Sequence, residues 1–77
     1  MEIKDFISNF ADQFEETDAS EFKAETRFRD LDEWSSLIGL GVISMVDEEY
    51  DIAIDGNDMR SADTIQDLFE IVKAKAE

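Results

Sequence analysis

Apolar residues in this chain recur at steps of three and four, and no segment alternates apolar with polar convincingly in the manner of a strand. Ile3, Phe6, Ile7, Phe10 and Phe14 fall on one face of an amphipathic helix expected over residues 2–15, with Lys4, Asp5, Asn9, Asp12 and Gln13 on the other. Such an aromatic stripe reads as core. Gly39, Val42, Ile43, Val46 and Tyr50 keep the same spacing and give the buried face of a second helix over Ser36–Tyr50. Ile65, Leu68, Phe69 and Val72 do the same for a last helix over Thr64–Lys75. Asp63 is the expected cap of that helix, with Gln66 as its capping-box partner. Lys73 and Lys75 suit the negative end of its dipole. Between these segments, Gly56-Asn57 marks a turn, and a short third helix fits Asn57–Ser61. With no proline to interrupt the pattern, the expected fold is all-α, a four-helix bundle.

The residues between the first helix and Trp34 show neither period and predict a long loop, a feature uncommon in a compact domain unless it is functional. Phe22, Phe28, Leu31 and Trp34 punctuate it and are expected to pin it onto the core. Lys23, Arg27 and Arg29 place three of the seven basic residues there, expected to pair with neighbouring acids. Gly39 and Gly41 each cost the second helix about 1 kcal/mol relative to alanine, which suggests close packing or a contact surface.

Length and composition bound the function. A chain of 77 residues makes a single domain spanning 1–77. It has no cysteine and no histidine, so disulfides, Ser-His-Asp and Cys-His catalysis and ordinary zinc sites are excluded. Asp51-Ile52-Ala53-Ile54-Asp55-Gly56 superficially resembles a calcium loop, but Ala53 and Ala62 stand where oxygen ligands are needed. Carboxylates are plentiful, yet no pattern singles out a catalytic pair, and the chain reads as a non-enzyme. The 21 acidic against 7 basic residues give a net charge of −14, which disfavours nucleic acid and anionic membranes and favours partners with basic surfaces. No apolar stretch is long enough to span a membrane and no signal-peptide pattern opens the chain, so a cytoplasmic location is expected.

One stretch points to a definite chemistry: Trp34-Ser35-Ser36-Leu37, running through an apolar helix to Asp47-Glu48-Glu49-Tyr50-Asp51. A helix N-terminus carries unpaired N–H groups and partial positive charge, so it accommodates a hydroxyl or a phosphate. The stretch resembles the attachment site of the acyl carrier proteins, Asp-Ser-Leu followed by a helix with an acidic and aromatic end. Here the motif is Ser35-Ser36-Leu37, with Ser35 in the place of the family's Asp; serine is itself a good helix cap. The likeness covers nearly the whole chain: four helices, a long first loop with Phe28 and Leu31 at its apolar anchors, the serine heading helix two, and a short third helix.

What the resemblance implies is 4′-phosphopantetheine bound covalently to Ser36, transferred from coenzyme A by a separate Mg²⁺-dependent phosphopantetheinyl transferase. Acyl groups would ride on its thiol as thioesters, as in fatty-acid or polyketide biosynthesis. The partners implied are acyl-loading and acyl-transfer enzymes with basic or apolar docking surfaces, met by a monomer. They would dock on helix two, through Leu37, Leu40, Gly41, Ser44, Asp47 and Glu48 with Ile38 beside them. That stripe has no acidic residue before Asp47, and this, with the Trp ahead of the serines, suggests a carrier for a specialised pathway with dedicated partners. Two alternatives share the fold: an acidic interaction module without the prosthetic group, and an aminoacyl or peptidyl carrier.

Overall fold

A computed structural model describes residues 2–77. Four α-helices form, with no strand among the described residues: α1 (Ile3–Ala11), α2 (Ser36–Tyr50), α3 (Gly56–Ser61) and α4 (Ile65–Ala76). The fold is therefore all-α, and no helix is long and apolar enough to cross a membrane.

α1 is shorter than the apolar stripe predicts. It ends at Ala11, and the chain then turns through Gln13 N–H to the Phe10 carbonyl (3.1 Å) and Phe14 N–H to the Ala11 carbonyl (3.0 Å). The tighter turns keep Phe14 in the core although it lies outside the helix. Burial carries the periodicity past the point where the hydrogen-bond ladder stops.

The long loop is not structureless. It holds two 3₁₀ turns, Ala19–Glu21 and Phe28–Asp30, the first capped by the Asp18 carboxylate accepting from Ser20 N–H (3.0 Å). Phe22 and Phe28 are buried, and Leu31 and Trp34 pack half-buried against the same core. Phe10 stands at the centre, with ring centroids 5.5 Å from Phe28, 5.7 Å from Phe14 and 6.2 Å from Phe22. The loop is also tied to the head of α4. Ile65 N–H donates to the Thr26 carbonyl (3.1 Å) and Gln66 N–H to that of Ala24 (2.9 Å).

Arg29 makes the acid pairing expected of the loop cations, to Asp63 at 2.7 Å, and donates as well to the carbonyls of Met59 (2.8 Å) and Ala62 (2.6 Å). One guanidinium thus joins the loop to the end of α3 and the start of α4.

The cap of α4 is Thr64, not Asp63. Thr64 Oγ1 accepts from Asp67 N–H (3.1 Å) and the Asp67 carboxylate accepts from Thr64 N–H (3.1 Å), so Asp67, not Gln66, completes the capping box. Asp63 is one residue too early and spends its carboxylate on Arg29 instead. α3 begins one residue before its predicted start, at Gly56, and has its own capping box between Asp55 and Asp58. Asp55, a calcium-loop residue at first sight, is that helix cap.

Candidate functional site

α2 has the predicted bounds, and its first turn separates the roles of the two serines. Ser35 is the cap: its backbone is extended (φ −154°, ψ 169°), its Oγ accepts from Ile38 N–H (3.3 Å), and its carbonyl accepts from Gly39 N–H (3.0 Å). Ser36 is therefore the first helical residue, and its side chain is exposed. No acidic residue stands in this first turn to offset the positive end of the helix dipole from within the helix.

Trp34, immediately ahead, packs against the helix. Its ring is tilted at 58° to that of Phe28 with centroids 5.0 Å apart and lies parallel to that of Phe10 at 6.4 Å, and a Cβ at position 39 would stand 3.5 Å from it. Gly39 is buried against that ring, but a Cβ there would meet it at ordinary van der Waals distance, so the packing does not itself demand glycine at this position.

Beside Ser36 an open cleft of about 380 Å³ runs between α2 and α3. Trp34, Leu40, Ile43 and Met59 line it, with Arg29 and Arg60 alongside. Of these, the sequence pattern points to Leu40 only as a docking residue. Met59 and Arg60 lie twenty residues and more from Ser36 in the chain, and only packing of α3 brings them to it.

The predicted docking stripe divides between environments. Leu37 (77% exposed) and Leu40 (61% exposed) are the two large apolar side chains left to solvent on the molecule's described surface. Ser44, Asp47 and Glu48 are exposed below them. Ile38 is half-buried and packs on the core. Gly41 is half-buried too, facing α1: a Cβ there would stand 3.1 Å from Gln13 Oε1, in a polar notch that also includes Asn9, Asp12, Ser44 and Glu48. Ile38 and Gly41 thus sit off the exposed row formed by Leu37, Leu40, Ser44, Asp47 and Glu48. Met45, absent from the predicted core face, is buried.

The far end of α2 is acidic against its own dipole. Asp47, Glu48 and Glu49 occupy the last turns with no basic residue among them, and Asp51 ends the helix in the left-handed conformation (φ 56°, ψ 40°), its N–H donating to the Asp47 carbonyl (2.9 Å). Asp is among the few non-glycine residues that adopt this conformation readily. Among the described residues no group of acids is arranged to hold a metal ion.

The loop leading into the site is held by Glu33. Its carboxylate accepts from the backbone N–H groups of Glu15 (2.7 Å), Glu16 (3.0 Å) and Thr17 (2.9 Å) and from the Thr17 hydroxyl (2.7 Å). The hydroxyl and the Glu15 N–H lead in holding its pKa below the ordinary value of 4.5. Nothing in the sequence marks Glu33 out from the other acids.

No known family model, no curated protein and no solved structure matches this chain.

Proposed function

We propose that this chain is a carrier protein of the acyl carrier type, bearing 4′-phosphopantetheine on Ser36. The observation that carries the reading is the division of labour at the head of α2. Ser35 takes the cap, leaving Ser36 exposed at the positive end of the dipole beside an apolar cleft. A phosphate ester on Ser36 fits this place, because the first-turn N–H groups and the dipole favour negative charge and the first turn itself holds no carboxylate. The four helices, long tethered first loop and short α3 agree with the bundle of that family. When bound, the group supplies a thiol on a flexible arm, able to hold an acyl group as a thioester. The chain's own residues supply the anchor at Ser36, the cleft beside it and the surface that partners meet.

Leu37 and Leu40 offer that surface an apolar anchor, and Asp47 and Glu48 an acidic end. Desolvated apolar anchors supply affinity, while rim charges set encounter rate and partner choice. A neutral first half of α2 favours dedicated partners with an apolar socket over the enzymes of general fatty-acid synthesis.

The test is intact mass after treatment with a broad-specificity phosphopantetheinyl transferase and coenzyme A. Wild type and Ser35→Ala gain one phosphopantetheine and Ser36→Ala gains none. Modification persisting in Ser36→Ala overturns the assignment, and an unmodified wild type favours an interaction module without the group.

A further inference from the structure

We infer that Arg60 makes this chain a carrier for acyl groups ending in a carboxylate, held with their methylenes in the cleft beside Ser36; the inference rests on the carrier reading. The cleft is apolar along Trp34, Leu40, Ile43 and Met59, and Ser36 lines the same space, so a group tethered there can reach it.

The charge at its edge is unusual for this molecule. With 21 acidic and 7 basic residues, the surface as a whole repels anions, yet two arginines line this cleft. Arg29 is fully employed: it pairs with Asp63 at 2.7 Å and donates to the carbonyls of Met59 and Ala62. Arg60 is not. Its side chain donates only to the neutral Asn57 Oδ1, and it belongs to neither of the ion pairs among the described residues, Arg29–Asp63 and Lys75–Asp58.

That one bond to Asn57 stays within α3, and Arg60 makes none to the carbonyls at the helix end among the described residues. It sits in the last turn of α3, where a cation ordinarily reaches the terminal carbonyls. Its guanidinium instead folds back over the first turn, with Nη1 3.4 Å from where a Cβ on residue 56 would lie. A guanidinium is always charged and offers a planar fork of donors that a carboxylate accepts in pairs. An apolar cleft with such a group at its edge suits an apolar chain with an anionic end. Because the acyl carbonyl itself is used in the thioester, the anion must be a second carboxylate at the far end. The phosphodiester that anchors the arm is the other anion within reach, and the two sources are separable.

The experiment loads the whole chain from hexanoyl- and from adipoyl-coenzyme A, which share a six-carbon chain and the phosphodiester and differ in the terminal carboxylate. Intact mass confirms each loading. The Arg60 Nε–H resonance and the methyl resonances of Leu40, Ile43 and Met59 are then followed by NMR, together with the rate of thioester cleavage by hydroxylamine. In the adipoyl form the Arg60 resonance shifts and cleavage slows about threefold relative to hexanoyl, the size an exposed ion pair supplies. Arg60→Gln brings the adipoyl form to hexanoyl behaviour, and Arg60→Lys falls between. Equal cleavage rates in the two wild-type forms overturn the inference, as does an Arg60 resonance that moves alike in both, which assigns the anion to the phosphodiester. Loading that succeeds with either outcome leaves the carrier reading standing. A chain that accepts neither group overturns both.

Discussion

Thr17 and Glu33 are joined twice: the backbone N–H and the hydroxyl of Thr17 both donate to Glu33 Oε1, at 2.9 and 2.7 Å. With the N–H groups of Glu15 and Glu16 completing the set, a single carboxylate gathers the successive backbone donors of the loop that follows α1. Trp34 follows Glu33 directly, so this clasp also fixes the approach to α2 and to Ser36. It accounts for how a chain of −14 tolerates another acid here: the donors come from the backbone, not from scarce basic residues.

The clasp predicts a pH signature. Glu33 has a pKa lowered by folding, so its contribution is present above the unfolded value and is lost as pH falls through the lowered folded value. Glu33→Gln melts below wild type at neutral pH, and the gap between them closes as pH drops below the ordinary glutamate range. A gap independent of pH across that range refutes the linkage.

The two serines are expected to dissociate stability from modification. Ser35→Ala removes the α2 cap and costs about 1 kcal/mol, while Ser36→Ala stays within about 0.5 kcal/mol of wild type. Denaturant titrations of the unmodified proteins measure both. If Ser36→Ala proves the more damaging to stability, Ser35 is not the cap that matters.

At the other end of α2, Glu48→Lys places a cation at the negative end of the dipole and reduces the acidic excess. It is expected to stabilise the fold by about 0.5 kcal/mol and to weaken binding to basic partners. Thermal melts check the first effect. A partner enzyme's KM for the loaded carrier, rising with kcat little changed, checks the second.

Thr64→Ala should cost about 1 kcal/mol through the α4 capping box. Asp63→Ala should cost less, because the Arg29–Asp63 pair is solvent-exposed and such pairs contribute under about 1 kcal/mol. Chemical unfolding of the two variants side by side gives the order, which reverses if Asp63 is the true cap.

Moderate salt should raise the melting temperature, since screening weakens the self-repulsion of a −14 chain while leaving the apolar core unchanged. A melting temperature flat or falling with added sodium chloride counts against repulsion as a significant cost.

Periodicity along the chain determined what is local. An apolar side chain every three or four residues specifies a helix and its buried face whatever lies opposite, and the bounds of α2 and the core roles of Phe6, Phe10, Val42, Val46, Leu68 and Val72 were legible from that alone. Capping was legible only in part. Ser35 stands directly before a clean apolar run, but Asp63 and Thr64 both can cap; in the fold Thr64 caps with Asp67, while the Asp63 carboxylate pairs with Arg29 from the loop. The end of α1 was hidden for a related reason: Phe14 keeps the helical spacing in sequence and reaches the core through a turn. What only the tertiary structure decided is everything that joins distant segments. Glu33 acquires its clasp, Gly41 its place against Gln13, and the cleft at Ser36 its Met59 and Arg60 through packing between elements. Periodicity reports which way a side chain faces on its own helix. It carries no information about which distant residue waits on the other side.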